Sequence, residues 1–184
     1  WNQFWGNPAA GTATTPGAFY KFSWGEVDFF MVDGRYHRSP DKAPDDDKKR
    51  MLGDAQFAWL IAGLKSSKAK FKVIASGSTL NHSKADGWRI YTFARHRFFD
   101  TIKEHRIPGV VYMSGDIHRS LVWEHHESKR VGYPVVEVIS SGVANSKTLS
   151  FATIDFDTTA EDPTMRIRVI LGDRRVETDR TWKL

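Results

Sequence analysis

Asp116 and His118 stand two residues apart, just after an apolar run that ends in Ser114-Gly115. A carboxylate oxygen and an imidazole nitrogen at this spacing can share one metal ion, and the pair suits borderline or hard ions such as Zn, Mn and Fe. Position matters as much as residue type. Val110-Val111-Tyr112-Met113 reads as a buried strand, the glycine permits a sharp exit, and ligands leaving a strand end project from a rigid base. The plainer alternative is that Gly-Asp after a strand forms only a turn.

Similar junctions recur upstream. Val27-Asp28-Phe29-Phe30-Met31-Val32 reads as a strand and is followed by Asp33, Gly34 and Arg35. Arg35 offers a planar fork to a phosphate oxygen, although an ion pair with Asp33 within the loop would explain both residues. Phe71-Lys72-Val73-Ile74-Ala75-Ser76 reads as a third strand and runs into Gly77-Ser78-Thr79-Leu80-Asn81-His82. Asn81 is a candidate substrate contact there and His82 is not assigned as a ligand; a polar loop suffices to explain both.

Other polar groups read as surface. His125 and His126 are expected on the outside of a strand end. Arg95-His96-Arg97 is expected on the solvent face of a helix. Asp45-Asp46-Asp47-Lys48-Lys49-Arg50 is expected as a solvated loop rather than a ligand cluster.

The elements that must position these groups follow from periodicity. Phe19-Tyr20-Lys21-Phe22-Ser23 and the strand from Val27 suggest a hairpin around Trp24-Gly25-Glu26. Phe57, Leu60, Ile61 and Leu64 recur at helical spacing, with Asp54 near the start, where the helix dipole favours an acid. Phe57 and Trp59 are read as core. Residues 91–105 suggest a second helix with Ala94, Phe98 and Ile102 on one face. Strands alternating with helices imply parallel strands, with functional loops at their carboxyl ends. After His118 come five strand candidates with mainly short breaks, and Leu171-Gly172-Asp173-Arg174 reads as a hairpin turn.

Bulk properties narrow the classes. At 184 residues, with 40% hydrophobic and 13% aromatic content, the chain is read as one globular domain rather than a disordered segment. Cysteine is absent, which excludes disulfides and thiolate catalysis. No apolar run reaches transmembrane length. A net charge of +5 favours anionic partners weakly, and a solvated basic surface explains it equally well. The opening Trp1-Asn2-Gln3-Phe4-Trp5-Gly6 reads as neither a signal peptide nor a polar start. It reads like the middle of a fold, with Trp1, Phe4 and Trp5 expected as exposed aromatics.

Several segments in order resemble the alkaline phosphatase D (PhoD-like) branch of the calcineurin-like metallophosphoesterases. They are Gly17-Ala18-Phe19-Tyr20-Lys21-Phe22-Ser23-Trp24-Gly25, the stretch from Val27 through Asp33-Gly34-Arg35-Tyr36-His37-Arg38, and Met51-Leu52-Gly53-Asp54-Ala55-Gln56-Phe57-Ala58-Trp59-Leu60. The stretch from Ser66 through Ser78 and that from Gly109 through Arg119 complete the set.

The resemblance implies an α/β sandwich of two mixed β-sheets flanked by helices. It also implies hydrolysis of phosphate monoesters or diesters, and export to the periplasm or outside the cell. Asp116 and His118 would serve as catalytic metal ligands, replacing the usual superfamily Gly-His-x-His with Gly-Asp-x-His, a change toward harder ions such as Fe or Ca, with Zn or Mn as alternatives. Arg35 and Asn81, read from the residues themselves and not from the resemblance, are the candidate substrate contacts. The attacking group would be metal-activated water, with a nearby His protonating the leaving oxygen.

The chain departs from the family in two ways. Ser76-Gly77-Ser78 stands where a Gly-His ligand is usual, and the family's N-terminal half, with its Asp-rich motifs, is absent. Residues 1–184 therefore read as the C-terminal portion of a PhoD-like domain, partnered by the missing half and a phosphate-ester substrate. Nucleic acid is expected only as substrate. Two rival classes are a carbohydrate- or surface-binding β-rich module, which predicts rows of exposed Trp, and a nucleic-acid-binding domain, for which no basic helix or aromatic platform is present.

Overall fold

A computed structural model describes residues 6–82 and 87–184. Trp1, Phe4 and Trp5 lie outside the described residues. Strands β1 (Tyr20–Trp24) and β2 (Val27–Val32) form the expected antiparallel hairpin. Helix α1 (Asp54–Ser66) leads to β3 (Phe71–Ser76), and α2 (Thr92–Glu104) to β4 (Val110–Ser114). Then come β5 (Ser120–Glu124), one short turn of helix α3 (Ser128–Val131) and β6 (Val136–Ser140). Strands β7 (Ser150–Asp157), β8 (Thr164–Leu171) and β9 (Val176–Lys183) close the chain.

The first six strands make one mixed sheet in the order β1-β2-β3-β4-β6-β5, with β2, β3, β4 and β6 parallel. Strands β7-β8-β9 form a second sheet that is wholly antiparallel rather than mixed. Period-two alternation sorts the core into two layers. Phe30, Ile74 and Tyr112 face helices α1 and α2, while Val27, Val73, Val111, Val136 and Val138 meet Met165, Ile167 and Trp182 of the small sheet. Phe57 and Trp59 pack against the helix-side core, as expected.

Among the described residues, the small sheet leaves part of the large one uncovered. Tyr20, Phe22 and Trp24 share a face with Phe29 and Met31, to which Phe22 and Tyr20 are paired in register. The Phe22 and Phe29 rings stack with centroids 4.7 Å apart, and Trp24 is 79% exposed. Tyr20, Met31, Ala75 and Met113 line a groove of about 340 Å³ on this face.

The acidic-basic run at 45–50 is not simply solvated. Lys49 is buried, and its ammonium donates to the carbonyls of Asp41 and Ile90 at 2.8 Å each while lying over the Tyr91 ring. Asp45 accepts from Thr92 N–H at 3.0 Å, at the first turn of α2, where orphan donors and the dipole favour an acid. These contacts bind the long 33–53 loop to the second helix, which charge patterning alone does not disclose.

Candidate active site

The sheet order builds the site. Because β6 lies between β4 and β5, the connection from β4 to β5 must cross the end of β6. That connection is residues 115–119. Ser141, just beyond β6, holds it from below: Ile117 N–H donates to Ser141 Oγ at 3.2 Å, and Ser141 Oγ donates to the Arg119 carbonyl at 3.2 Å. Asp116 (φ 70°) and His118 (φ 56°) both occupy the left-handed region. For non-glycine residues this costs about 1–3 kcal/mol each and persists where the surroundings impose it. Asp and His are among the types that tolerate it best.

Both side chains are exposed. His118 lines a polar cleft of about 390 Å³ with Arg119, Ser120, Asn145, Lys147 and Glu177. Asp116 is not among the residues that line that cleft. The pair supplies one oxygen donor and one nitrogen donor, and among the described residues no group of three or more His, Asp or Glu side chains converges to hold a metal.

Arg35 lies on the loop after β2. Its N–H and that of Tyr36 donate to Asp33 Oδ1 at 2.8 and 2.9 Å, while Ala18 N–H donates to Oδ2 at 2.8 Å. Burial alone would raise the Asp33 carboxyl; the three backbone donors outweigh it and hold it below the ordinary aspartate value. Asp33 thus binds main chain, and the Arg35 side chain is exposed. Since β3 separates β2 from β4, the Arg35 and Asp116 loops leave the same edge about two strand spacings apart, roughly 10 Å.

Asn81 occupies the loop after β3, between those two. Its Oδ1 accepts a long 3.4 Å hydrogen bond from Arg95. Ser78 is fixed by Tyr112, whose hydroxyl donates to its carbonyl at 3.2 Å and accepts from Trp88 Nε1 at 2.8 Å. His82 stacks on Trp123, centroids 5.5 Å apart, with its Nδ1 buried and unpartnered.

The residue that joins this loop to the rest is Glu137, fully buried on β6. Its Oε1 accepts from Leu80 N–H at 2.6 Å and Ser114 Oγ at 2.9 Å, and its Oε2 from Trp123 Nε1 at 2.8 Å. Burial pushes its carboxyl above the ordinary glutamate value against these bonds. Its sequence mark is faint: one acid within Val135-Val136-Glu137-Val138-Ile139.

Two expectations of surface exposure fail. Arg95 is buried, its Nε unpartnered; desolvation lowers its pKa, partly offset by Glu127 and Asp45. His125 is buried between the Phe99 and His126 rings, its Nδ1 accepting from Glu127 N–H at 3.1 Å. Desolvation drives its pKa down to about 3, with smaller contributions from His126 and Arg95. Both errors share one cause: α3 and the turn before it cover α2 there. The rows of exposed Trp that a carbohydrate-binding module predicts are absent among the described residues. Trp24 stands out alone, while Trp88 and Trp182 are buried and Trp59 and Trp123 partly so.

The comparisons with known proteins accord with this architecture. No curated protein matches the sequence. A solved structure described as "Structure of PhoD" superposes with a TM-score of 0.63 at 16% identity, over 92% of this chain and 45% of the other, which at that identity establishes a shared fold. The chain thus spans a little under half the length of that protein. The family model for "PhoD-like phosphatase" matches residues 7–169, and the chain belongs to that family.

Proposed function

We propose that this chain is the C-terminal portion of a PhoD-like catalytic domain that hydrolyses phosphate monoesters or diesters. The observation that carries the reading is the position of Asp116 and His118, on a strained turn over the end of β6, inside the segment that matches the family. Such a turn holds two donors at a fixed spacing without relying on loop flexibility.

The donor set fits as part of a metal shell. A carboxylate and an imidazole suit Fe, Ca, Zn or Mn, and the remaining ligands would come from outside the described residues. Bound ions would supply an activated water and neutralise charge on the phosphoryl oxygens. This chain's own contribution is positional: Asp116 and His118 hold their donors, Arg35 orients a phosphate oxygen, and Asn81 offers an amide from the neighbouring loop. The uncovered face of Tyr20, Phe22, Trp24, Met31 and Met113 is where the remaining elements of the domain would pack, whether from the same polypeptide or another. No helix among the described residues is long and apolar enough to cross a membrane; export to the periplasm or beyond belongs to the proposal.

The test is complementation. The 184 residues alone should leave p-nitrophenyl phosphate and bis-p-nitrophenyl phosphate unhydrolysed. Adding an upstream family half that carries the Asp-rich motifs should restore turnover, and Asp116→Asn should abolish it without unfolding the chain. Unchanged turnover in that variant, or metal-dependent hydrolysis by the 184 residues alone, would overturn the assignment.

A further inference from the structure

We propose that Glu137 is the positioning residue of this site: one buried carboxylate sets the Asn81 loop against the Asp116–His118 turn. The inference rests on the functional reading above.

Strand β6 is the middle strand beneath that turn, and Glu137 is in register with Tyr112 of β4 on one side and Trp123 of β5 on the other. Its neighbours Val136 and Val138 face the small sheet, so Glu137 points to the opposite side. There a single oxygen takes both the Leu80 N–H and the Ser114 hydroxyl. Two donors on one atom cannot lie more than about two hydrogen-bond lengths apart. Leu80 precedes Asn81, and Ser114 precedes the Gly115-Asp116 exit, so the oxygen fixes the two loops to each other. Asn81 N–H also bonds to the carboxylate. The second oxygen is held by Trp123, which in turn stacks on His82.

An acid is a costly choice here. It is fully buried, and among the described residues its partners are neutral donors rather than a counter-ion. Burying a charge opposes folding, and an apolar side chain of similar size would pack between the sheet and the helices at less cost. What an apolar side chain could not do is accept from three elements at once. The arrangement therefore serves geometry between loops rather than stability.

The test uses the 184-residue chain and Mn2+ alone, read by paramagnetic broadening of assigned backbone amide signals. In the unaltered chain, Mn2+ should broaden Asp116 and His118 together with Leu80 and Asn81. Glu137→Gln places an NH2 opposite a donor. It should leave the broadening at Asp116 and His118 in place while removing most of it at Leu80 and Asn81. Trp123→Phe combined with Glu137→Gln removes the donor–donor clash and should recover most of the lost broadening. Ser114→Ala, a milder cut that leaves the Leu80 bond, should give a partial loss if Glu137→Gln fails to fold.

Uniform retention of the pattern in Glu137→Gln, or uniform loss in a folded Ser114→Ala chain, would overturn the positioning role. If Mn2+ broadens nothing near Asp116 in the unaltered chain, the metal reading itself fails, and this proposal with it. Asp116→Asn separates the two cases. It should remove all broadening while the chemical shifts of Leu80 and Asn81 stay where they were, because the Glu137 bonds are intact.

Discussion

The side-chain amide of Gln56 pairs with the main chain of Asp33 as a neighbouring strand would. Asp33 N–H donates to Gln56 Oε1 at 2.7 Å, and Gln56 Nε2 donates to the Asp33 carbonyl at 2.8 Å. The same Nε2 reaches the Leu52 carbonyl at 3.0 Å, and Gln56 is fully buried. Helix α1 therefore satisfies the backbone groups where β2 ends, and the loop carrying Arg35 starts from a fixed point. Gln56→Leu would leave those backbone groups without partners. Chemical denaturation should show a loss of about 1–3 kcal/mol. A change within about 0.5 kcal/mol, the usual range for an inconsequential surface substitution, would mean the pairing is not what fixes the loop.

Asp33 tests the same junction from its side chain. Asp33→Asn keeps one acceptor oxygen but turns an NH2 toward a backbone N–H, so it should cost about 1–3 kcal/mol. The acid dependence adds a sign. Three backbone donors depress the Asp33 carboxyl in the folded state despite burial. Its contribution is therefore present above the unfolded value of about 3.9 and is lost as pH falls below it. Wild type should lose stability relative to Asp33→Asn on acidification below about pH 4. Parallel pH curves for the two proteins would contradict this assignment.

Much of this fold is readable from the chain because its determinants are local. β2 and β3 span the residues expected from their apolar runs, and α1 starts at Asp54. Period-two and helical spacings record burial directly. Asp116 and His118 are visible because they follow a strand and a glycine. Glu137, Arg95 and His125 are not, because what buries them is distant in sequence. Trp123 and Leu80 come to Glu137 from 14 and 57 residues away. A single polar letter in a strand does not tell which loops will close over it. The short helix α3 escapes the same way: four residues give too little periodicity to register.

Arg35 separates fork from charge. Its backbone N–H is held by Asp33. Arg35→Lys keeps the positive charge but loses bidentate geometry, and in the complemented enzyme it should weaken phosphate binding by about 1–3 kcal/mol. The expected readout is weaker competitive inhibition by inorganic phosphate. Identical inhibition constants would leave Arg35 outside substrate binding.

His125 predicts a second pH effect, at milder acidity. Burial between aromatic rings holds it neutral, with a pKa of about 3 in the folded protein. Once unfolded it would take up a proton near its ordinary value of about 6.5. Between these limits the unfolded state binds the extra proton, so stability falls as pH falls through the window, by up to about 1.4 kcal/mol per pH unit from this group. His125→Phe keeps the stacking but cannot protonate. It also strands the Glu127 N–H, so it should be less stable at neutral pH. The slope of its stability against pH between about 6 and 4 should be shallower by up to one proton. An unchanged slope would mean that His125 is protonated in the folded state.

The aromatic edge makes the last prediction. Among the described residues β1 is an edge strand, and Trp24 and Phe22 are exposed on its face toward the groove. A sheet edge beside exposed aromatic rings is a template for association. The 184-residue chain should therefore self-associate as its concentration rises, with light scattering growing before any loss of helical signal. Trp24→Thr should cost little stability, since that ring is mostly in solvent, and Thr suits an edge strand. Phe22→Thr costs more, because it removes the stack on Phe29. The double variant should remain monomeric at concentrations where the parent associates. It should also be a poorer acceptor for the upstream half in the complementation assay, since both processes use one surface. Loss of self-association with complementation unchanged would show that the two occupy different faces, and the groove would then not be where the rest of the domain packs.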